Sequence, residues 1–368
     1  MVTIVMRDAL RAQVERASQG RQTVLYTAKG QPSYMNVVPL VTLAALGLAG
    51  AEGPHPAFIV GGRERGEFFY GSYGGVIRAG ELVSLPGVAP GAWMDFAGAS
   101  DAARACGSGW HLSTNAERAA LMLWCRRHGH AAQGNTDSGR SILAPEARGQ
   151  RVDGRDPGDG QGDPATLTGS GPARWRHDHT AHGIADLCGN LWEWQAGLRL
   201  VDGEIQIIPD NDAVQADLSS ASADWRALRL SDGALVAPGH PDSAKFDACR
   251  ECREGNAGAP MLRSRILHRN GPAGDNANHP ALMDAPFGQI ECDGGGGAPA
   301  LLRALGLAPI GPSAGRAQAY LRNYGERIFM AGGAWYSGHD AGLEALCLSH
   351  PRGHASATVG ARPAFVQA

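Results

Sequence analysis

The sequence predicts a mixed α+β protein in which strands and loops outweigh helix, and three stretches carry that expectation. STNAERAALMLWCRRHG, 113–129, has the marks of a helix at both ends. IADLCGNLWEWQAG, 184–197, alternates large apolar and polar residues as a strand or strand-turn does. From ERIFMAGGAW onward, short apolar runs broken by Gly, Ser and His suit paired strands and loops with little helix.

Taken in order, DALRAQVERASQG, 8–20, places Leu10, Val14 and Ala17 at helical spacing, with Asp8 as N-cap and Gly20 as stop, and predicts a short amphipathic helix. The apolar run 37–50 is too short to span a bilayer and contains Pro39. In the 113–129 stretch, Thr114 and Glu117 have capping-box spacing, Ala120, Leu123 and Trp124 form an apolar face, Arg126 and Arg127 suit the negative helix end, and Gly129 can close it. RVDGRDPGDGQGDP, 151–164, has no periodicity and reads as an exposed loop. Trp192 and Trp194 are core candidates. The region from about 200 to 320 mixes strand-like pieces such as GEIQII with Pro/Gly/His-rich loops and a helix at APALLRALGL, and reads as insertions on a core. No repeat of fixed period is visible.

The chain has 368 residues with 43% hydrophobic and 19% charged content, a globular balance, and its formal charge of -3 leaves no footprint for nucleic acid or anionic membrane. Lysine occurs only at Lys29 and Lys245. Charged residues near the N-terminus precede any apolar h-region, so neither a secretory signal nor membrane insertion is expected. Seven cysteines spread over this length do not resemble a disulfide framework.

Cys249 and Cys252 have the separation of half a zinc site, with Cys292, His268 and His279 available to complete it, so the insertion is the expected place for a structural zinc. His177, His179 and His182 lie two and three residues apart beside Asp178, without a strong zinc spacing, and a polar surface loop explains them as well. Asp153, Asp156, Asp159 and Asp163 offer oxygens to calcium but depart from the EF-hand order. No P-loop, GxSxG elbow or HExxH is present, and no catalytic constellation is complete.

Four landmarks, GWHLSTNAERAALMLW, GIADLCGNLWEWQAG, ERIFMAGGAW and VGARPAF, fall in an order that resembles the formylglycine-generating-enzyme type of C-type lectin fold. The resemblance covers about 56–200 and 320–368. It implies an N-terminal segment at 1–55, a C-type lectin-like domain at 56–368 with loop-rich insertions at about 200–320, and core roles for Trp192 and Trp194. Oxidases of that family hold copper through two cysteines, and the corresponding places here are Ser337 and Gly342, so the resemblance does not extend to oxidase chemistry.

The C-terminal run from Gly332 also resembles the variable region, about 332–364, of a diversity-generating retroelement variable protein. The resemblance implies a frame of Gly, Ala, Leu, Pro and Arg, including Gly332, Gly333, Trp335, Gly342, Arg352 and Arg362. Interleaved with it are exchangeable ligand-binding positions: Tyr336, Ser337, His339, Asp340, Cys347, Ser349, His350, Gly353, His354, Ser356 and Thr358. In such systems template adenines are randomised, and an Asn codon then yields any residue except Lys, Glu, Gln, Met or Trp. All eleven positions comply. A rigid small-residue frame with adaptable polar and aromatic side chains is the chemistry of a paratope. The expected function is therefore non-enzymatic display of a binding surface toward a protein or carbohydrate ligand. The alternatives are an oxidase that has lost or changed its copper site, and a structural phage tail component.

Overall fold

The computed structural model describes residues 2–48, 50–131, 133–253, 256–269, 281–293, 295, 297–311 and 315–367. Most of the described chain is strand and loop, with helices at Val2–Ser18, Phe96–Arg104, Asn115–Arg127 and Ala300–Ala304, so the expected mixed α+β class holds. The first helix starts well before Asp8, which is therefore inside it rather than its cap, and Gly20 ends it in the left-handed conformation (φ 78°). The Asn115–Arg127 helix carries its capping box as expected: Thr114 Oγ1 accepts from the Glu117 amide at 3.1 Å, and Glu117 Oε2 accepts from the Thr114 amide at 3.0 Å. Glu117 does more, since its Oε1 also meets His111 Nε2 at 2.8 Å and accepts from Asn211 Nδ2 at 3.1 Å, tying this helix to the strand before it.

Two sheets organise the chain. The smaller is antiparallel and runs Gln22–Tyr26, Pro32–Pro39, Glu67–Gly71, Pro363–Phe365, Trp110–Leu112, so the last strand of the chain is clamped between two early ones. The division expected at residues 55/56 thus runs through one sheet, because the strands before it pair with those after it. The larger sheet has twelve strands. At its centre the Trp192–Val201 strand pairs with Glu326–Ala331 on one side and Glu204–Ile207 on the other. Beyond Glu204–Ile207 lie strands of the 200–320 region, so that region extends the central sheet.

The central strand serves two cores. Trp192, Trp194 and Ala196 pack with Phe96, Ile328, Met330, Ala334 and Ala345, whereas Leu198 and Leu200 belong to the larger cluster with Phe246, Leu262 and Phe329. The switch falls at Gly197 (φ 85°), opposite a register shift between Ile328 and Met330, and a Cβ on Gly197 would stand 2.8 Å from that of Ala213. Both tryptophans are buried as expected, and Trp194 Nε1 donates to the Met94 carbonyl at 2.9 Å. Arg362 is fully buried: it holds Glu193 through Nε and Nη2, the latter 2.6 Å from Oε1, and donates to the carbonyls of Gly71 and Ala185. Among the described residues no helix is long and apolar enough to cross a membrane.

Candidate functional site

Gly332 and Gly333 turn the chain out of the Glu326–Ala331 strand with φ of 101° and 88°. Neither could carry a side chain: a Cβ on Gly332 would lie 2.9 Å from the Leu187 carbonyl oxygen, and one on Gly333 would lie 2.6 Å from Ala341 Cβ. The turn presses the following segment against fixed parts of the molecule, which grip its main chain. The Trp335 amide donates to Asn190 O at 3.0 Å, its carbonyl accepts from the Ser138 amide at 2.9 Å, and the Gly338 amide donates to Thr136 O at 2.8 Å. Farther on, the carbonyls of His350, Arg352, Ser356 and Thr358 accept from the amides of Ile328, Phe96, Trp93 and Trp192. Glu344, the one acidic residue after Asp340, ion-pairs with Arg126 at 2.8 Å, tying this segment to the capped helix.

With the main chain so held, six of the eleven expected ligand positions, Tyr336, Ser337, Asp340, Cys347, Ser349 and His350, line one cavity of about 340 Å³. Tyr336 stands at its rim, 58% exposed. Cys347 and Ser349 lie at its floor, both buried, with Cys347 Sγ 3.2 Å from Ser349 Oγ, and burial pushes the Cys347 thiol up. His354 stacks on His350 with ring centroids 3.9 Å apart. Burial, with His354 and two arginines nearby, pushes His350 down to about 3, so the pair is neutral at physiological pH. His339 and Gly353 are exposed and, like Ser356 and Thr358, do not line the cavity; the Ser356 and Thr358 hydroxyls bond each other at 3.0 Å.

Four lining residues were missed from sequence: Trp192, Leu282, Tyr320 and Arg322. Tyr320 and Arg322 arrive because Gln318–Leu321 pairs in parallel with Leu346–Leu348, a long-range contact with no local signal. Tyr320 donates its hydroxyl to Asp340 Oδ2 at 2.7 Å, and burial together with that carboxylate raises its pKa. Arg322 donates to the Ser349 carbonyl at 2.8 Å, pinning the floor strand. Two expected exchangeable side chains also serve local structure: Ser337 Oγ accepts from the Ala334 amide at 2.9 Å, and Asp340 holds Tyr320.

The metal candidates fare differently. Among the described residues no group of three or more His, Cys, Asp or Glu is placed to hold a metal ion. Of the expected zinc ligands Cys249, Cys252 and Cys292, Cys249 is exposed, while Cys252 and Cys292 are partly buried against the large apolar core. His279 lies outside the described residues. His177 faces inward, its Nδ1 accepting from the Ile184 amide at 2.8 Å, while His179 packs edge-on against His130, so the RWRHDHTAH histidines do not converge. The calcium reading of the acidic loop is corrected, because an arginine occupies its centre. Arg151, buried, donates to both Asp153 oxygens and to the carbonyls of Asp156, Asp159 and Gln161, supplying the positive charge a calcium ion would have brought.

No family model matches the chain, and no curated protein is similar to it.

Proposed function

We propose that this chain is a ligand-binding display protein with a formylglycine-generating-enzyme type of C-type lectin fold, whose 332–364 segment is the variable region of a diversity-generating retroelement. Its ligand is a protein or carbohydrate on a target surface, its setting a phage particle or a bacterial cell, and it performs no catalysis. One observation supports this reading above the others: main-chain bonds hold the segment to residues outside it, while six of its polar and aromatic side chains converge on one cavity. A surface of that build keeps its shape when its side chains are exchanged, the property a diversified binder needs. Ser337 and Gly342, where the related oxidases carry copper thiolates, favour binding over oxidation, since neither offers a soft ligand to Cu(I).

Sequencing the encoding locus tests the proposal. A reverse transcriptase gene beside a near-copy of the 332–364 coding segment, with Asn codons at the eleven positions, is the expected finding. A locus with no such copy, in a lineage whose members keep these side chains unchanged, would show that the segment is not diversified.

A further inference from the structure

Resting on that reading of the site, we infer that the cavity is an aromatic cage for an ammonium group. Three rings line it, Trp192, Tyr320 and Tyr336, with the indole of Trp192 edge-on to Tyr320 at 6.3 Å between centroids. Ring faces attract a cation through their quadrupole, and the attraction grows as water is excluded. Asp340 lines the same cavity. Its Oδ2 is taken by the Tyr320 hydroxyl, and among the described residues nothing donates to Oδ1. No ion pair within 4.0 Å neutralises this carboxylate among the described residues, so it stands as the counter-ion a cation would meet. Asp284 is near enough to repel Asp340, each adding negative field at the tyrosine end.

Two lining side chains could oppose a cation, His350 and Arg322. His350 carries no charge at neutral pH, as burial beside His354 dictates. Arg322 is 8% exposed and commits Nη1 to the Ser349 carbonyl at the cavity floor. A volume of about 340 Å³ admits a trimethylammonium headgroup or a lysine side chain but not a folded surface, so the ligand enters by one cationic knob.

Calorimetric titration of the full chain tests this with choline, its uncharged carbon isostere 3,3-dimethyl-1-butanol, and Nα-acetyl-lysine amide. At least one cation should saturate the protein at millimolar concentration, with the isostere at least tenfold weaker. Asp340→Asn should weaken the cation at least fivefold and leave the isostere unchanged. Tyr336→Ala, at an exposed position where folding is not at stake, should weaken the cation by a similar factor. Tighter binding of choline assigns the cage to quaternary headgroups, and tighter binding of the lysine amide assigns it to a protein partner. An isostere that binds as well as choline, or cations that bind neither parent nor variants, would overturn the cage. That result would leave the display reading standing, since it is judged by the locus and by the melts described below.

Discussion

The loop 151–164 and the segment 332–358 are both rich in glycine and polar side chains, yet their shapes rest on different chemistry. In the first, the Arg151 side chain gathers both oxygens of Asp153 and the carbonyls of Asp156, Asp159 and Gln161. In the second, the main chain is gripped by main-chain groups of Thr136, Ser138, Asn190, Ile328, Trp93 and Trp192. A loop whose carbonyls converge on one side chain loses that hub when the side chain changes. A segment held by its backbone tolerates exchange of what it displays. A loop gathered by a side chain is thereby distinguished from a segment held by its backbone, where composition alone made them alike.

The largest effect should come from undermining the display segment from below. Trp194 is fully buried in the cluster that also contains Ala334, Ala345 and Cys347 of that segment. Trp194→Ala should therefore cost about 3–5 kcal/mol, the range for truncating a buried aromatic, in denaturant-induced unfolding. A loss under about 1 kcal/mol would mean that the frame does not depend on this core.

Next comes the loop. Arg151→Ala leaves several carbonyl oxygens without their donor, and limited proteolysis should show cleavage within 151–164 several-fold faster than in the parent while the 332–358 segment stays intact. Arg151→Lys should restore protection only in part, because an ammonium cannot reproduce the two-pronged grip on Asp153. The same contact sets a pH dependence. Arg151 holds the Asp153 carboxyl down at about 2 from its ordinary 3.8, so the stabilisation is fully present above the unfolded value and is lost as pH falls through about 2. Loop protection should thus decline at the acid end of that window in the parent and depend less on pH there in Arg151→Ala, where the Arg155 and Asp163 amides still hold the Asp153 carboxylate. Equal cleavage of parent and variant would contradict the arginine-centred account.

How much of this was legible beforehand follows from the range of the interactions. The capping box at Thr114 and Glu117, the stop at Gly129 and the Gly332–Gly333 turn are local, and their residues announce them. Arg362 was readable as a buried arginine but not as the partner of Glu193, 169 residues away. The Phe96–Arg104 helix was overlooked because FAGASDAAR is filled with small residues of little apolar contrast; Asp95, whose side chain accepts from the Gly98 amide, was the available signal. The strands Gln22–Tyr26 and Pro32–Pro39 gain their place from Glu67–Gly71, which their own sequence does not specify. In the site, the positions supplied by one segment were legible, and Tyr320, Arg322 and Leu282 were not, since only the sheet brings them there. The acidic loop misled for one reason: spacing names possible ligands, while the reach of Arg151 decides what they do.

The smallest effect, and the most direct test, is on the displayed side chains. The side chains of Tyr336, His339 and His354 make no hydrogen bond to the frame among the described residues, so replacing all three with Ser, Asn and Asn should cost no more than about 0.5 kcal/mol each. Thermal melts of the triple variant and of Trp194→Ala, run beside the parent, measure this. The account predicts a triple variant that melts within a few degrees of the parent while Trp194→Ala melts far below it. A triple variant that unfolds as early as Trp194→Ala would show that these side chains hold the structure, and the display function would be contradicted.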